Sequence, residues 1–161
     1  MEMLDVARHA LERYHDVTVD DDGTLTFAHG GVVCAVQGTE LDEGLPVLNL
    51  TCVVAWDLPG DDVPARVAMG AGEGLFGTPR VIRGERGWDV TFRYAFPAAG
   101  LEDRAMGTLL MLVVGGASSI RSSDGVATTC IPARCAWPRP DRPQCRRWAG
   151  GLAGLDAAPG P

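Results

Sequence analysis

Lysine is absent from this sequence of 161 residues: all 14 basic side chains are arginine, while Ala, Gly and Pro are abundant, a pattern that fits GC-rich coding bias more than a functional signal. Histidine is scarce as well. His9, His15 and His29 are the only three, so nothing in the C-terminal part can add an imidazole to a metal or catalytic centre. No run approaches the roughly 18–20 apolar residues of a membrane span, and Met1-Glu2-Met3-Leu4-Asp5 lacks the basic start and apolar core of a signal peptide. These absences predict a cytoplasmic protein without membrane contact. No G-x-S-x-G, phosphate-cradling glycine loop or nucleotide fingerprint occurs. Gly70-Ala71-Gly72-Glu73-Gly74 resembles a glycine loop only superficially, because it follows a short helical pattern rather than a strand. The expectation is a protein that is not an enzyme, with no cofactor and no metal; an uncharacterised enzyme would need a concave pocket holding a perturbed carboxylate or histidine.

The length fits one domain, and a chain of about 150 residues can bury roughly 68–70% of its unfolded surface without a disulfide or metal staple. Charge is unevenly placed. Residues 1–120 hold 8 Arg against 18 Asp plus Glu, a net of −10, and residues 121–161 hold 6 Arg against 3 Asp, a net of +3; the two sum to −7. An acidic body repels phosphate backbones, which argues against a nucleic-acid partner. Cys34 and Cys52 lie in strand-like runs and read as small buried hydrophobes.

Residues 2–14 place Leu4, Ala7, Leu11 and Tyr14 at three-and-four spacing, the pattern of an amphipathic helix ending near His15. Val17 and Val19, then Leu25 and Phe27, alternate with polar neighbours around Asp20-Asp21-Asp22-Gly23, predicting a hairpin. A second turn at His29-Gly30-Gly31 leads into a strand at Val32–Gln37, a loop at Gly38–Leu45 and a long strand at Val47–Asp57. Pro59-Gly60 stops that strand, and a short helix at 64–69 follows. Leu75–Arg83 and Trp88–Phe96 flank Gly84-Glu85-Arg86-Gly87 as another hairpin. In its second strand Trp88, Val90, Phe92, Tyr94 and Phe96 share the core face. The last helix starts at Leu101, lines the core with Ala105, Leu109, Leu112 and Val113, and ends at Gly115-Gly116.

The order α-β-β-β-α-β-β-α predicts an α+β fold: an antiparallel sheet of about five strands with helices packed mainly on one face. The domain spans residues 1–120. Residues 121–161, interrupted by Pro132, Pro138, Pro140 and Pro143, lose periodicity and read as a disordered Pro/Gly/Arg-rich tail.

Three clusters invite a chemical reading. Asp20, Asp22 and Gly23 match positions 3, 5 and 6 of a calcium loop, but Thr18 and His29 would then hold positions 1 and 12, and both flanks are strands; a plain hairpin turn fits better. Cys130, Cys135 and Cys145, spaced C-x4-C-x9-C, lack the fourth ligand of a zinc site and read as incidental thiols. Arg146, Arg147 and Trp148 beside them read as a solvated basic cluster. The three histidines read as surface or capping residues.

A binding role has a subtler basis. With Leu48, Leu50, Cys52, Val54 and Trp56 turned to the core, Val53 and Ala55 fall on the opposite sheet face, as do Val33 and Ala35 of the preceding strand. Thr91 and Arg93 extend this patch from the strand at 88–96. A sheet with helices on one side is normally polar on the other, so an apolar centre there points to a partner, a second subunit or a covering segment. A register error of one residue would exchange the two faces.

The run Asp89-Val90-Thr91-Phe92-Arg93-Tyr94-Ala95-Phe96-Pro97-Ala98-Ala99-Gly100-Leu101, with Asp22-Gly23-Thr24-Leu25-Thr26-Phe27 and the strand at 46–58, resembles the YbjN and type III secretion chaperone-like superfamily over roughly residues 1–118. The short helix at 64–69, followed by three glycines, departs from the longer second helix of that family. The resemblance implies a small non-enzymatic, chaperone-like domain that binds a protein or an extended peptide, or that pairs with itself as a homodimer.

Overall fold

The computed structural model describes residues 3–41, 44–70 and 76–122. Along the chain run α1 (Met3–Glu12), β1 (Thr18–Val19), β2 (Leu25–His29), β3 (Val32–Leu41), β4 (Leu45–Leu58), α2 (Val63–Gly70), β5 (Thr78–Arg83), β6 (Trp88–Pro97) and α3 (Asp103–Ser122). The strands form one antiparallel sheet in the order β1-β2-β3-β4-β6-β5. The fold is α+β as expected, with six strands rather than about five.

Local chemistry explains the turns. Between β1 and β2 the Asp22 carboxylate accepts a hydrogen bond from the Thr24 amide at 3.0 Å, and the Asp20 amide donates to the Thr24 carbonyl at 2.9 Å, closing the hairpin. The loop expected at Gly38–Leu45 is shorter: β3 continues to Leu41 and pairs with β4 up to Leu41 and Leu45. Thr39 and Asn49 join side chains across this extension at 3.2 Å.

All three helices share one core with one face of the sheet. Ala7, Ala10 and Leu11 of α1, Val63 and Val67 of α2, and Met106, Leu110 and Val113 of α3 meet Leu48, Leu50, Phe92 and Phe96 in a single buried cluster. Each large side chain so buried contributes about 1.5–3 kcal/mol relative to exposure. Tyr14, expected on the inner face of α1, lies beyond the helix end and is 65% exposed.

The last helix departs from expectation in length and phase. It passes through Gly115-Gly116 to Ser122. Those glycines do not cap the helix; a Cβ on Gly116 would stand 3.3 Å from the Phe92 ring, so a bare Cα lets α3 lie close on β6. The inward residues are Met106, Gly107, Leu110, Val113, Val114, Ala117 and Ile120, one step round from the predicted stripe, leaving Ala105 and Leu112 exposed. With the extra turns, α3 is long and apolar enough to cross a membrane by length and composition, although its inward residues are committed to the core. Gly70's side of the glycine loop, residues 71–75, and the cysteines, arginines and tryptophan of residues 123–161 lie outside the described residues.

Candidate binding groove on the helix-free face of the sheet

Register alone decides which side chains share the face opposite the helices. Val33 pairs with Val53, Val53 with Thr91, and Thr91 with Arg80, giving one row across β3, β4, β6 and β5. The adjacent row runs Ala35, Thr51, Arg93, Thr78. Five of the six residues expected on this face, Val33, Ala35, Val53, Thr91 and Arg93, are thereby brought together.

Ala55 is the exception and a correction. β4 pairs Val53 with Thr91 and then Ala55 with Val90, so Val54 is an inserted residue and the register shifts. A β-bulge of this kind breaks the alternation. Val54 and Ala55 both enter the core cluster, and Ala55 is 0% exposed. Trp56, expected in the core, is partly buried and stands outside that cluster. A single-sequence period-two reading carries no marker for an inserted residue, so both errors share one cause.

The centre of this face is sheltered, not open. Val53 is 3% exposed and Thr91 0% exposed, yet neither belongs to the core beneath the helices, and Ala35 is buried in the same way. The Thr91 hydroxyl is buried without a hydrogen-bond partner. These residues make a closed floor.

Beside that floor lies a groove of about 370 Å³ over β4, β6 and β5, whose walls include Asn49, Thr78, Arg80, Arg93 and Ala95. Arg93 is half-buried and Arg80 exposed. Arg80 escaped the sequence reading, although the alternation Thr78, Arg80, Ile82 opposite Arg93, Thr91 and Asp89 would have placed it here; Asn49 falls on this face by the alternation of β4 itself. Among the described residues five other arginines are committed to carboxylates: Arg8 to Glu12, Arg13 to Asp103, Arg66 to Asp62, Arg83 to Asp61 and Arg86 to Asp57.

At the far end of the same face the Asp89 carboxylate accepts a hydrogen bond from the Asp57 amide at 3.0 Å. Burial pushes the Asp89 carboxyl above its ordinary range, with the nearby Asp57 charge adding to the rise and the Asp57 amide and Arg86 opposing it. Asp57 itself adopts a positive φ of 53°, and Arg86 reaches its carboxylate at 2.6 Å.

The histidines do not form a catalytic arrangement with a nucleophile. His9 approaches the Asp103 carboxylate at 3.7 Å on the surface. His15 stacks on Phe27 at 5.1 Å, meets the His29 ring edge-on at 5.1 Å and contacts the Met111 sulfur at 3.3 Å, a more packed setting than a surface cap. Burial first, and the neighbouring His29 second, lower its pKa. Cys34 and Cys52 are opposed across β3 and β4 with sulfurs 3.3 Å apart; their mutual hydrogen bond and burial drive the Cys34 pKa far upward, leaving an unreactive thiol. Among the described residues no group of three or more His, Cys, Asp or Glu is placed to hold a metal ion.

Compared with known proteins, the chain matches no family model and no curated sequence.

Proposed function

We propose that this chain is a non-enzymatic, chaperone-like binding module that holds an extended segment of another protein across the helix-free face of its sheet. The observation that carries this reading is the groove over β4, β6 and β5, with its polar walls beside a closed apolar floor. A groove that crosses three neighbouring strands offers contacts to several successive residues of an extended chain. The resemblance of residues 1–118 to the YbjN and secretion chaperone-like superfamily supports the same role.

Arg93 and, at the margin, half-buried Val33 are available to a partner, while Val53, Thr91 and Ala35 support the surface from beneath. Probing an array of unstructured peptides with the full chain tests the proposal. Retention of a subset that Arg93→Glu abolishes, at an unchanged melting temperature, is the expected result. Retention of none, or equal retention by the variant, rejects it.

Homodimerisation is the second reading, favoured by a separate observation. Ala105, Leu109 and Leu112 form an outward apolar stripe on α3, with Leu112 52% exposed. Sedimentation at micromolar concentration separates the two readings: a dimer that Leu112→Glu dissociates places self-association on α3 and leaves the groove free.

A further inference from the structure

Among the described residues Arg80, Arg93 and Arg104 are in no ion pair, and two of these three, Arg80 and Arg93, line the groove together. These two guanidinium groups line the groove without a carboxylate partner, although acidic residues outnumber basic ones in this chain 21 to 14. Their spacing is fixed by the sheet. Thr78 pairs with Arg93 and Arg80 with Thr91, which makes Arg80 and Arg93 diagonal neighbours on the same face. Diagonal cross-strand positions lie roughly 7–8 Å apart. In an extended peptide, side chains at i and i+2 point the same way and are separated by about 6.6–6.8 Å.

We infer that the groove recognises an extended acidic segment whose carboxylates stand two residues apart, one held by Arg80 and the other by Arg93. The inference rests on the proposed peptide-binding function and names the chemistry of its partner. Guanidinium groups meet carboxylates through two parallel N–H···O bonds, a geometry that an ammonium group does not reproduce. Thr78, directly opposite Arg93, supplies a neutral donor and acceptor for the peptide backbone beside the anchors. A nucleic acid is the less favoured polyanion. The net charge of −7 opposes a long polyanion more than a short segment.

Fluorescence anisotropy with the full chain and three fluorescein-labelled heptapeptides tests the inference: one with Glu-Val-Glu at its centre, one with Gln-Val-Gln, and one with the two glutamates adjacent. The alternating acidic peptide is expected to bind most tightly, with affinity falling as salt rises. Arg80→Gln and Arg93→Gln should each weaken it about tenfold, the worth of one charge-assisted contact. Arg104→Gln, which removes an exposed arginine from α3, should leave it unchanged. Melting curves verify that each variant is folded. Equal binding of the glutamine peptide overturns the acidic specificity while leaving peptide binding intact. Equal binding of the adjacent-glutamate peptide overturns the spacing. Binding insensitive to both arginine substitutions, or no binding of any of the three, overturns the inference; the peptide array decides the broader function independently. Displacement by inorganic phosphate or a single-stranded oligonucleotide at matched charge concentration also overturns it, by revealing a general anion site.

Discussion

Arg121 donates from Nη1 to the carbonyl oxygen of Val54 at 2.6 Å, tying the last turn of α3 to the bulge in β4. The inserted residue of a bulge leaves the ladder locally disrupted, and this guanidinium satisfies the carbonyl it exposes. The contact exists because α3 runs past Gly115-Gly116. A helix ending at that pair would leave the Val54 carbonyl without this donor.

Arg121→Met keeps the apolar stem and removes the donor, so it should lower stability by about 1.5–3 kcal/mol, the usual contribution of a hydrogen bond to a charged group. Urea unfolding measures it. Arg121→Lys should recover part of the loss, since one ammonium donor can replace Nη1 in a single contact.

The closed floor of the groove gives two opposite outcomes. Val53→Asp, at a position 3% exposed, places an unpaired charge among buried side chains and should cost on the order of 3–5 kcal/mol, as seen when a buried charge lacks its partner. Thr91→Val removes a buried hydroxyl that has no hydrogen-bond partner while keeping the side-chain shape, and should raise stability by about 1 kcal/mol. Thermal unfolding of both variants checks the pair; a neutral Val53→Asp would mean that the floor opens to water.

Asp89 separates charge from hydrogen bonding. Asp89→Ala removes the acceptor for the Asp57 amide and should destabilise by about 1 kcal/mol. Asp89→Asn keeps an acceptor and removes the charge. Because the folded carboxyl titrates above its ordinary value near 3.8, the stability it contributes is complete below that value and is lost as pH rises through the raised one. Stability of Asp89→Asn measured from acid to neutral pH should therefore lack that decline, and at neutral pH the variant should match or exceed the parent.

His15 has the opposite slope. Its folded pKa lies below the ordinary 6.5, so the unfolded chain binds the proton more readily and stability falls as pH drops from 6.5 toward the folded value. His15→Phe preserves the stacking on Phe27 and removes the titration. Denaturant midpoints measured across this interval should fall less with acidification in the variant.

Two glycines should tolerate no side chain. A Cβ on Gly77, where φ is 93°, would stand 2.2 Å from the Phe92 ring, and one on Gly87 would stand 2.6–2.8 Å from the backbone of Asp57 and Leu58. Gly77→Ala combines left-handed strain and overpacking, each costing about 1–3 kcal/mol. Gly100→Ala, with a φ of 71° and nothing within 4 Å, isolates the backbone part. Melting temperatures should rank Gly100→Ala well above Gly77→Ala and Gly87→Ala.

Period-two alternation in Trp88–Pro97 and Leu25–His29, together with the turn residues between strands, was enough to read from the sequence the hairpins, the α+β class and the placement of the helices on one side, because side-chain direction along a strand is local geometry. It was also enough to put Val33, Ala35, Val53, Thr91 and Arg93 on one face. The order of β6 between β4 and β5, the bulge that turns Ala55 inward and the extension of α3 to Arg121 required the tertiary structure. A glycine pair can end a helix or admit an aromatic ring against it, and only the position of Phe92 decides which. An inserted strand residue likewise leaves no mark in hydropathy until a neighbouring strand fixes the register. The groove belongs to this second kind of information: Arg80 and Arg93 are thirteen residues apart in sequence and become neighbours only because the β5–β6 hairpin sets Thr78 against Arg93 and Arg80 against Thr91.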